Sequence, residues 1–544
     1  MLKWFIFQKF GSMSDNRLKL FIYYPIVLAL VLAGGIYLGS LLGAGRVPYS
    51  VTDSSTDNSK KITNLLNYVL EEYVDSVDLD GLTESTIIRM LDQLDPHSAY
   101  IPARDLEAMN EPLNGNFDGI GVEFNIVADT IVVVAPINGG PSEKLGIRSG
   151  DRIVSIEDTI VAGIGIANED VIAKLRGERG SKVKIEIARR GVKKLLQFRI
   201  ERDKIPIYSV DAGYMINNEV GYIKISRFAA TTYDEFAEKL NTLRSRGMKS
   251  LILDLRGNPG GYLNAAIEIC DEFLGDGKLI VYTEGRARPK DSAFATKKGT
   301  FESGKLAILV DEGSASASEI VSGAVQDNDR GTIVGRRTFG KGLVQEQVEL
   351  SDGSAVRLTI ARYYTPTGRS IQRPYGKDED YYAEYLDRIT SGELYEADSI
   401  SLDKEKKYVT PGGKTVYGGG GIVPDVFVKL DTSGYTEFHN QLMSSGVIRE
   451  FSLNYSTENR ASLDRFKSAS EFAQRFAFAE RDYEQLLSLA RSRQVNTQGA
   501  AEAKADVLNH LKALLARSKW NGDGFYPIIN KGDKTIEAAL NVLR

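Results

Sequence analysis

The stretch KLAILVDEGSASASEIVSG, residues 305–323, decides how this chain is read. KLAILV has the continuous apolar character of a buried strand, SEIVSGAVQ that of a helix, and between them three serines alternate with alanines. A strand that ends in a small-residue bend and runs at once into a helix presents a hydroxyl close to the helix's unpaired N-terminal amides, which suits a nucleophile. The competing role is a helix cap, since Ser and Thr are favoured just before a first turn. Strand-like alternation turns Ser314, Ser316 and Ser318 the same way, so periodicity does not choose among them. Ser318, beside Glu319, is the one best suited to be the cap.

Working outward, VGYIKIS, SLILDLR and LAILVDE are apolar runs, each followed by a helix-like stretch, which argues for an α/β core with a largely parallel sheet. GLVQEQVEL and SAVRLTIARYY flank SDGS, whose Asp352-Gly353 fits a hairpin turn. Upstream, residues 112–201 change to short strands (GVEFNIV, TIVVVAP, DRIVSI, KVKIEIAR) with one helix, NEDVIAKLRG, and read as a small β-rich module. Residues 61–111 have helical spacing. The core is expected over 202–430, with a charged, Tyr-rich surface excursion at 376–414, and residues 431–544 are rich in helix formers.

At 544 residues the chain exceeds what one core supports, so several domains are expected. A net charge of -5 gives no basic footprint for nucleic acid. The single cysteine excludes an internal disulfide and thiol-rich metal sites, and Cys270, in LNAAIEICDEFL, reads as a small buried apolar residue. Residues 20–45 carry no charge and are long enough to cross a bilayer. Lys3, Lys9, Arg17 and Lys19 precede them, so residues 1–19 are expected on the cytoplasmic side, 46–60 as a tether, and the remaining mass on the periplasmic side of an inner membrane. The apolar run is longer than a signal-peptide core and lacks a clean A-x-A site, which favours an uncleaved anchor. The helical ends offer surfaces for a homodimer.

In GPSEKLGIRSGDRIVSI, residues 140–156, a Gly-Pro turn leads a short helix that ends at Gly146, and Gly150-Asp151 turns the chain into an apolar strand. This spacing resembles the PDZ domain, in the circularly arranged form found in bacterial proteases. PDZ domains take a peptide's C-terminus as an added strand, with loop amides receiving the carboxylate. The resemblance puts that role on GIGVEF, with Ile120, Gly121 and Val122 as its carriers. As a dinucleotide fingerprint GIGVEF fails, for want of a third glycine and a following helix.

LDLRGNPGGYL, QDNDRGTIVGRRTFGKGLVQ, LTIARYYTPTGRSIQ and GIVPDV, taken with the serine bend, resemble the carboxyl-terminal processing peptidases, or tail-specific proteases, from about residue 65 to 428. The resemblance implies an α/β fold, with a crotonase/ClpP-like ββα protease core, an inserted PDZ domain, an N-terminal helical region and a helical C-terminal extension. It also implies a serine nucleophile with a lysine as general base. The histidines agree: His97 sits in the turn-like LDPHSAY and His439 and His510 in the unmatched tail, which leaves no Ser-His pair near the bend.

A lysine base must lose its charge through burial, from an ordinary pKa near 10.4. Lys341, in TFGKGLVQ, has a phenylalanine before it and a glycine on either side. In the family the lysine follows the nucleophile by 25 positions, which selects Ser316. Gln345 matches the family's amine-orienting glutamine, and Asp327 an acidic residue near the site in some members. The amides of Gly260 or Gly261, with that of Ala317, match the oxyanion hole. A phosphate cradle is excluded, since no Gly-Lys-Ser/Thr follows the glycines.

The expected activity is a serine endopeptidase, anchored to a membrane, that captures protein C-termini in its PDZ module and cuts upstream with a Ser-Lys dyad. Such chemistry calls for no metal and no cofactor. One alternative is a catalytically silent PDZ scaffold that binds protein C-termini. A hydratase or isomerase on a crotonase-like core would need acyl-carrier recognition and a carboxylate pair, and neither is evident.

Overall fold

The computed structural model describes residues 57–376, 381–434 and 436–544. The chain divides into two units, Met1–Thr83 and Glu84–Arg544. In the first, the helix Asp57–Glu72 opens on an acidic residue, which suits the positive end of a helix dipole, so helix begins inside the expected tether. Its apolar residues Ile62, Leu65, Leu66 and Val69 follow helical spacing.

The inner-membrane placement is corrected. The expected cytoplasmic stretch 1–19 and anchor 20–45 lie outside the described residues, and among the described residues no helix is long and apolar enough to cross a membrane. The helix Lys504–Ile529 has the length, at 26 residues, but it carries Asp506, Lys512, Arg517, Lys519 and Asp523 and breaks at Trp520 and Asn521. Gly522 follows the break. A Cβ there would lie 1.8 Å from the carbonyl oxygen of Asp211, so only glycine lets the helix dock this closely.

In the second unit a six-stranded sheet runs in the order Val210–Met215, Val220–Ile225, Ser250–Asp254, Lys305–Val310, Thr332–Gly335, Val426–Phe427. The first pair is antiparallel and the rest are parallel. One face packs on the helices Thr232–Ser245, Leu263–Asp271 and Ala317–Asp327, through Phe236, Leu240, Ile269, Val321 and Val325. Ile536, Ala539 and Leu543, in and just beyond the C-terminal helix Lys534–Val542, cover the other. Burial on both faces is why these strands read as unbroken apolar runs. Cys270 is fully buried in this core.

A second sheet is antiparallel. In it Ala355–Tyr364 pairs with Ala99–Ile101, Leu279–Gly285 and Leu343–Glu349, and Arg288–Phe294 lies outside Leu279–Gly285. The Asp352-Gly353 hairpin forms as expected, with Gly353 at φ +84°. The excursion is less superficial than expected: its Arg388 and Glu393 are buried, and Glu393 pairs with both Arg388 and Arg337.

The β-rich module is a sheet in the order Val122–Ile126, Ile131–Pro136, Arg152–Ile156, Lys182–Ala188, Leu196–Glu201, with the helix Asn168–Leu175. It leaves and rejoins the core through one antiparallel pair, Asn116–Gly119 with Asp203–Pro206. Helices fill the chain from Glu437 onward and build cores of their own.

Candidate active site

The parallel strand Lys305–Val310 delivers the chain into the serine bend, and the helix Ala317–Asp327 starts immediately after Ser316. Ser316, not Ser318, holds the N-cap position, and it does so at φ +54°, ψ −112°. A non-glycine residue rarely adopts that conformation, which costs about 1–3 kcal/mol and recurs where a nucleophile is held out of a turn.

The three hydroxyls have different fates. Ser314 Oγ donates to the Leu255 carbonyl at 2.9 Å and Ser318 Oγ to the Asn258 carbonyl at 2.9 Å, both buried. Ser316 Oγ makes no hydrogen bond among the described residues. Ser314 and Ser318 thus staple the bend to the loop after Ser250–Asp254, and Ser316 keeps its hydroxyl free.

That loop, GNPGGYL, lies against Ser316. Gly260 has φ +100°, and a Cβ on it would stand 2.7 Å from Ser316 Cβ and 2.9 Å from the Ala317 nitrogen. Its own N–H donates to Asn258 Oδ1 at 2.9 Å, whereas the N–H groups of Gly261 and Ala317 meet no acceptor among the described residues. Of the two glycines the sequence left open, Gly260 thus has its N–H engaged and Gly261 does not. Buried Asn258 organises the loop, donating to the Ile225 carbonyl at 3.0 Å and accepting from Ala315 N–H at 2.9 Å.

Lys341 is drawn to the same place by Glu319, whose importance the sequence reading missed. The Glu319 carboxylate is fully buried, and its Oε2 accepts from the backbone N–H of both Ser316 and Lys341, each at 2.8 Å. The two nitrogens are therefore no further apart than twice that distance. Oε1 accepts from Gly340 N–H at 2.7 Å and Thr338 Oγ1 at 2.6 Å. Burial pushes the carboxyl up to about 7, against the pull of these donors. From the other side the buried Tyr363 hydroxyl lies 3.1 Å from the Ser316 carbonyl oxygen and 2.7 Å from that of Lys341.

Lys341 Nζ donates to Gln345 Oε1 at 3.0 Å and is not hydrogen-bonded to Ser316 Oγ. Burial, with the Arg357 guanidinium, holds the amine below the usual lysine range, while Asp95 and Glu319 pull it back up. Gln345 Nε2 donates to the His97 carbonyl oxygen. This corrects the reading of His97 as remote from the bend. Its imidazole Nε2 lies 2.9 Å from the Tyr381 hydroxyl, and burial together with the Lys341 and Arg373 cations lowers it to about 4, despite Asp95.

Asp327 is not brought to this cluster. It ends the helix that Ser316 caps, eleven residues on and about 16 Å along the axis. There it forms a fully buried ion pair with Arg369 at 2.7 Å and accepts from Thr367 Oγ1 at 2.7 Å, which is a structural role.

In the β-rich module Val122–Ile126 is an edge strand. The carbonyls before it are engaged: that of Ile120 accepts from Ser142 Oγ at 2.6 Å and that of Gly121 from Ile137 N–H at 2.9 Å. The N–H groups of Ile120 and Gly121 meet no acceptor among the described residues, and Gly121 sits at φ +72°.

No metal-binding cluster of His, Cys, Asp or Glu occurs among the described residues. The chain matches the peptidase family S41 over residues 219–383, the PDZ domain over 119–201 and a family of unknown function over 438–521. It is 33% identical over 404 residues to the carboxy-terminal processing protease CtpB of Bacillus subtilis, covering 70% of this chain and 83% of that one. With the carboxy-terminal-processing protease of Bartonella bacilliformis it shares 36% over 347 residues, 62% of this chain and 78% of the relative. With CtpA of B. subtilis the figures are 34% over 362 residues, 66% and 76%. The chain belongs to the carboxy-terminal processing proteases, serine-type enzymes with an S41 peptidase core and a PDZ domain.

Proposed function

We propose that this protease cuts with Ser316 as nucleophile and Lys341 as general base, after the PDZ module (112–201) has taken the substrate's C-terminus onto the core (202–430). The observation that carries the reading is the single Glu319 oxygen that accepts from the amides of both Ser316 and Lys341. Neutral Lys341 has two N–H bonds and one lone pair. Gln345 Oε1 accepts one N–H, which leaves the lone pair for the Ser316 proton.

Ser316 Oγ then attacks the scissile carbonyl, and the amides of Gly261 and Ala317 receive the oxyanion. Lys341 returns its proton to the departing amine. It next deprotonates a water that attacks the acyl-enzyme, and Ser316 regains its proton as the acid leaves. Upstream, the unpaired amides of Ile120 and Gly121 receive the tail carboxylate, and the peptide continues as a strand along Val122 and its neighbours. Apolar Ile120, Val122 and Phe124 face the module's core on this side and favour an apolar terminal residue.

The test uses the full chain and an unstructured peptide with a free, apolar C-terminal residue, its fragments read by mass spectrometry. Ser316→Ala and Lys341→Ala should each lower kcat by about 10³-fold or more, while Ser314→Ala and Ser318→Ala retain measurable turnover. Turnover at the parent rate in either of the first two would refute the dyad.

A further inference from the structure

The mechanism leaves one polar cluster unused. Residues 95–98, Asp-Pro-His-Ser, form a turn docked on the strand Ala355–Tyr364. Asp95 Oδ1 accepts from the N–H groups of His97 and Ser98, both at 2.9 Å, and from Thr359 Oγ1 at 3.1 Å. Oδ2 accepts from Ser98 Oγ at 2.6 Å, and Ser98 Oγ in turn accepts from Thr359 N–H at 3.1 Å. Four hydrogen bonds to one buried carboxylate, and a fifth to the Ser98 hydroxyl, therefore fix where the His97 carbonyl points. That carbonyl accepts from Gln345 Nε2.

An amide side chain can present either its oxygen or its NH₂ to a neighbour. With Nε2 engaged by a carbonyl, Gln345 presents Oε1 to Lys341. Reversed, its NH₂ would donate to the lysine lone pair and block the base. We propose that the Asp95–Ser98 turn is a positioning element for the general base, with Asp95 as the positioning residue that sets the orientation of Gln345 through the His97 carbonyl. The role rests on the Ser316–Lys341 reading. It also ties the lysine to a segment that precedes the PDZ module in the chain, because the turn continues into the strand Ala99–Ile101 and the helix Ala103–Asn114, which leads to the module.

Several charged and titratable groups bear on Lys341: Asp95 and His97 from the turn, Glu319 from the serine helix, and Arg357 and Tyr363 from the long strand. Arg373 and Tyr381 stand behind His97. Asp95→Asn removes one of the two carboxylates that favour the ammonium. If the turn acts as proposed, kcat at the alkaline plateau should drop about tenfold or more with KM within about twofold, and the acid-side limb of the pH profile should move to lower pH. Thr359→Val, a milder change, should cause a smaller loss of the same kind.

An unchanged plateau in both variants overturns the proposal. So does a limb that moves to higher pH, since that would mean the turn only keeps water off the lysine. His97→Ala keeps the carbonyl and should cost less kcat than Asp95→Asn. Complete loss of cleavage in His97→Ala would instead make the imidazole the base and refute the Ser316–Lys341 reading itself.

Discussion

At the junction between the serine bend and the lysine loop, the contacts are buried and converge on few atoms: Glu319 has no exposed surface, and four donors meet its two oxygens. The junction between the PDZ module and the C-terminal helices is made differently. Arg190 meets Glu458 at 3.1 Å with side chains 65% and 53% exposed, and Arg517 meets Glu123 at 3.4 Å with 54% and 49% exposed. Arg460 adds one hydrogen bond to the Ser149 carbonyl. Buried, mutually satisfied polar groups give one arrangement and a steep cost for leaving it, whereas exposed ion pairs give a weak, salt-screened preference. The serine–lysine cluster is held rigidly and the PDZ module is held lightly.

The comparison breaks first at Glu319. Replacing it with alanine strands four donors, so kcat should fall about 10²-fold as Ser316 and Lys341 lose their common anchor, with a clear drop in melting temperature. Activity within a fewfold of the parent would mean that the shared oxygen is incidental.

A smaller effect should appear in stability against pH. Glu319 is raised from 4.5 to about 7, so between those values the folded state holds a proton that the unfolded chain has released, and stability from this group falls as pH rises. His97 is lowered from 6.5 to about 4, so the unfolded chain holds the extra proton there and stability rises with pH. From pH 4.5 to 6.5 the two slopes oppose each other and nearly cancel. His97→Ala should uncover the Glu319 slope, a loss of about 2 kcal/mol relative to the parent across that window in denaturant titrations. Parallel pH profiles for the two proteins would contradict this account.

The smallest effect belongs to the light junction. Arg190→Glu combined with Arg517→Glu should change global stability by no more than about 1 kcal/mol per pair, yet move the module away from the C-terminal helices, as read by energy transfer between dyes on the two. Added salt should reproduce that movement in the parent chain. A parent distance that ignores salt would point to an apolar grip.

The parallel strands were legible because burial on both faces leaves an unbroken apolar signature, and the serine bend because small residues between a strand and a helix allow few arrangements. The hairpin Leu279–Gly285 with Arg288–Phe294 was not seen: RPKDSAF is mostly exposed and polar, with no alternation to find. Glu319 escaped for another reason. Its partners at 338–341 lie about twenty residues further on, and nothing local marks a helical glutamate as their acceptor. His97 reads as part of a turn-like Asp-Pro stretch, and its contact with Gln345 is made by a backbone carbonyl that any residue possesses. Asp327 matched by spacing alone, and spacing along a helix does not say which end faces the substrate.

The antiparallel pair at the module's root has its own consequence. Because Asn116–Gly119 and Asp203–Pro206 already lie side by side, joining Gly119 directly to Asp203 by a tight turn would convert the root into an ordinary hairpin. The PDZ module is thus a cassette: splicing it out or exchanging it for another domain should leave the fold of the core intact.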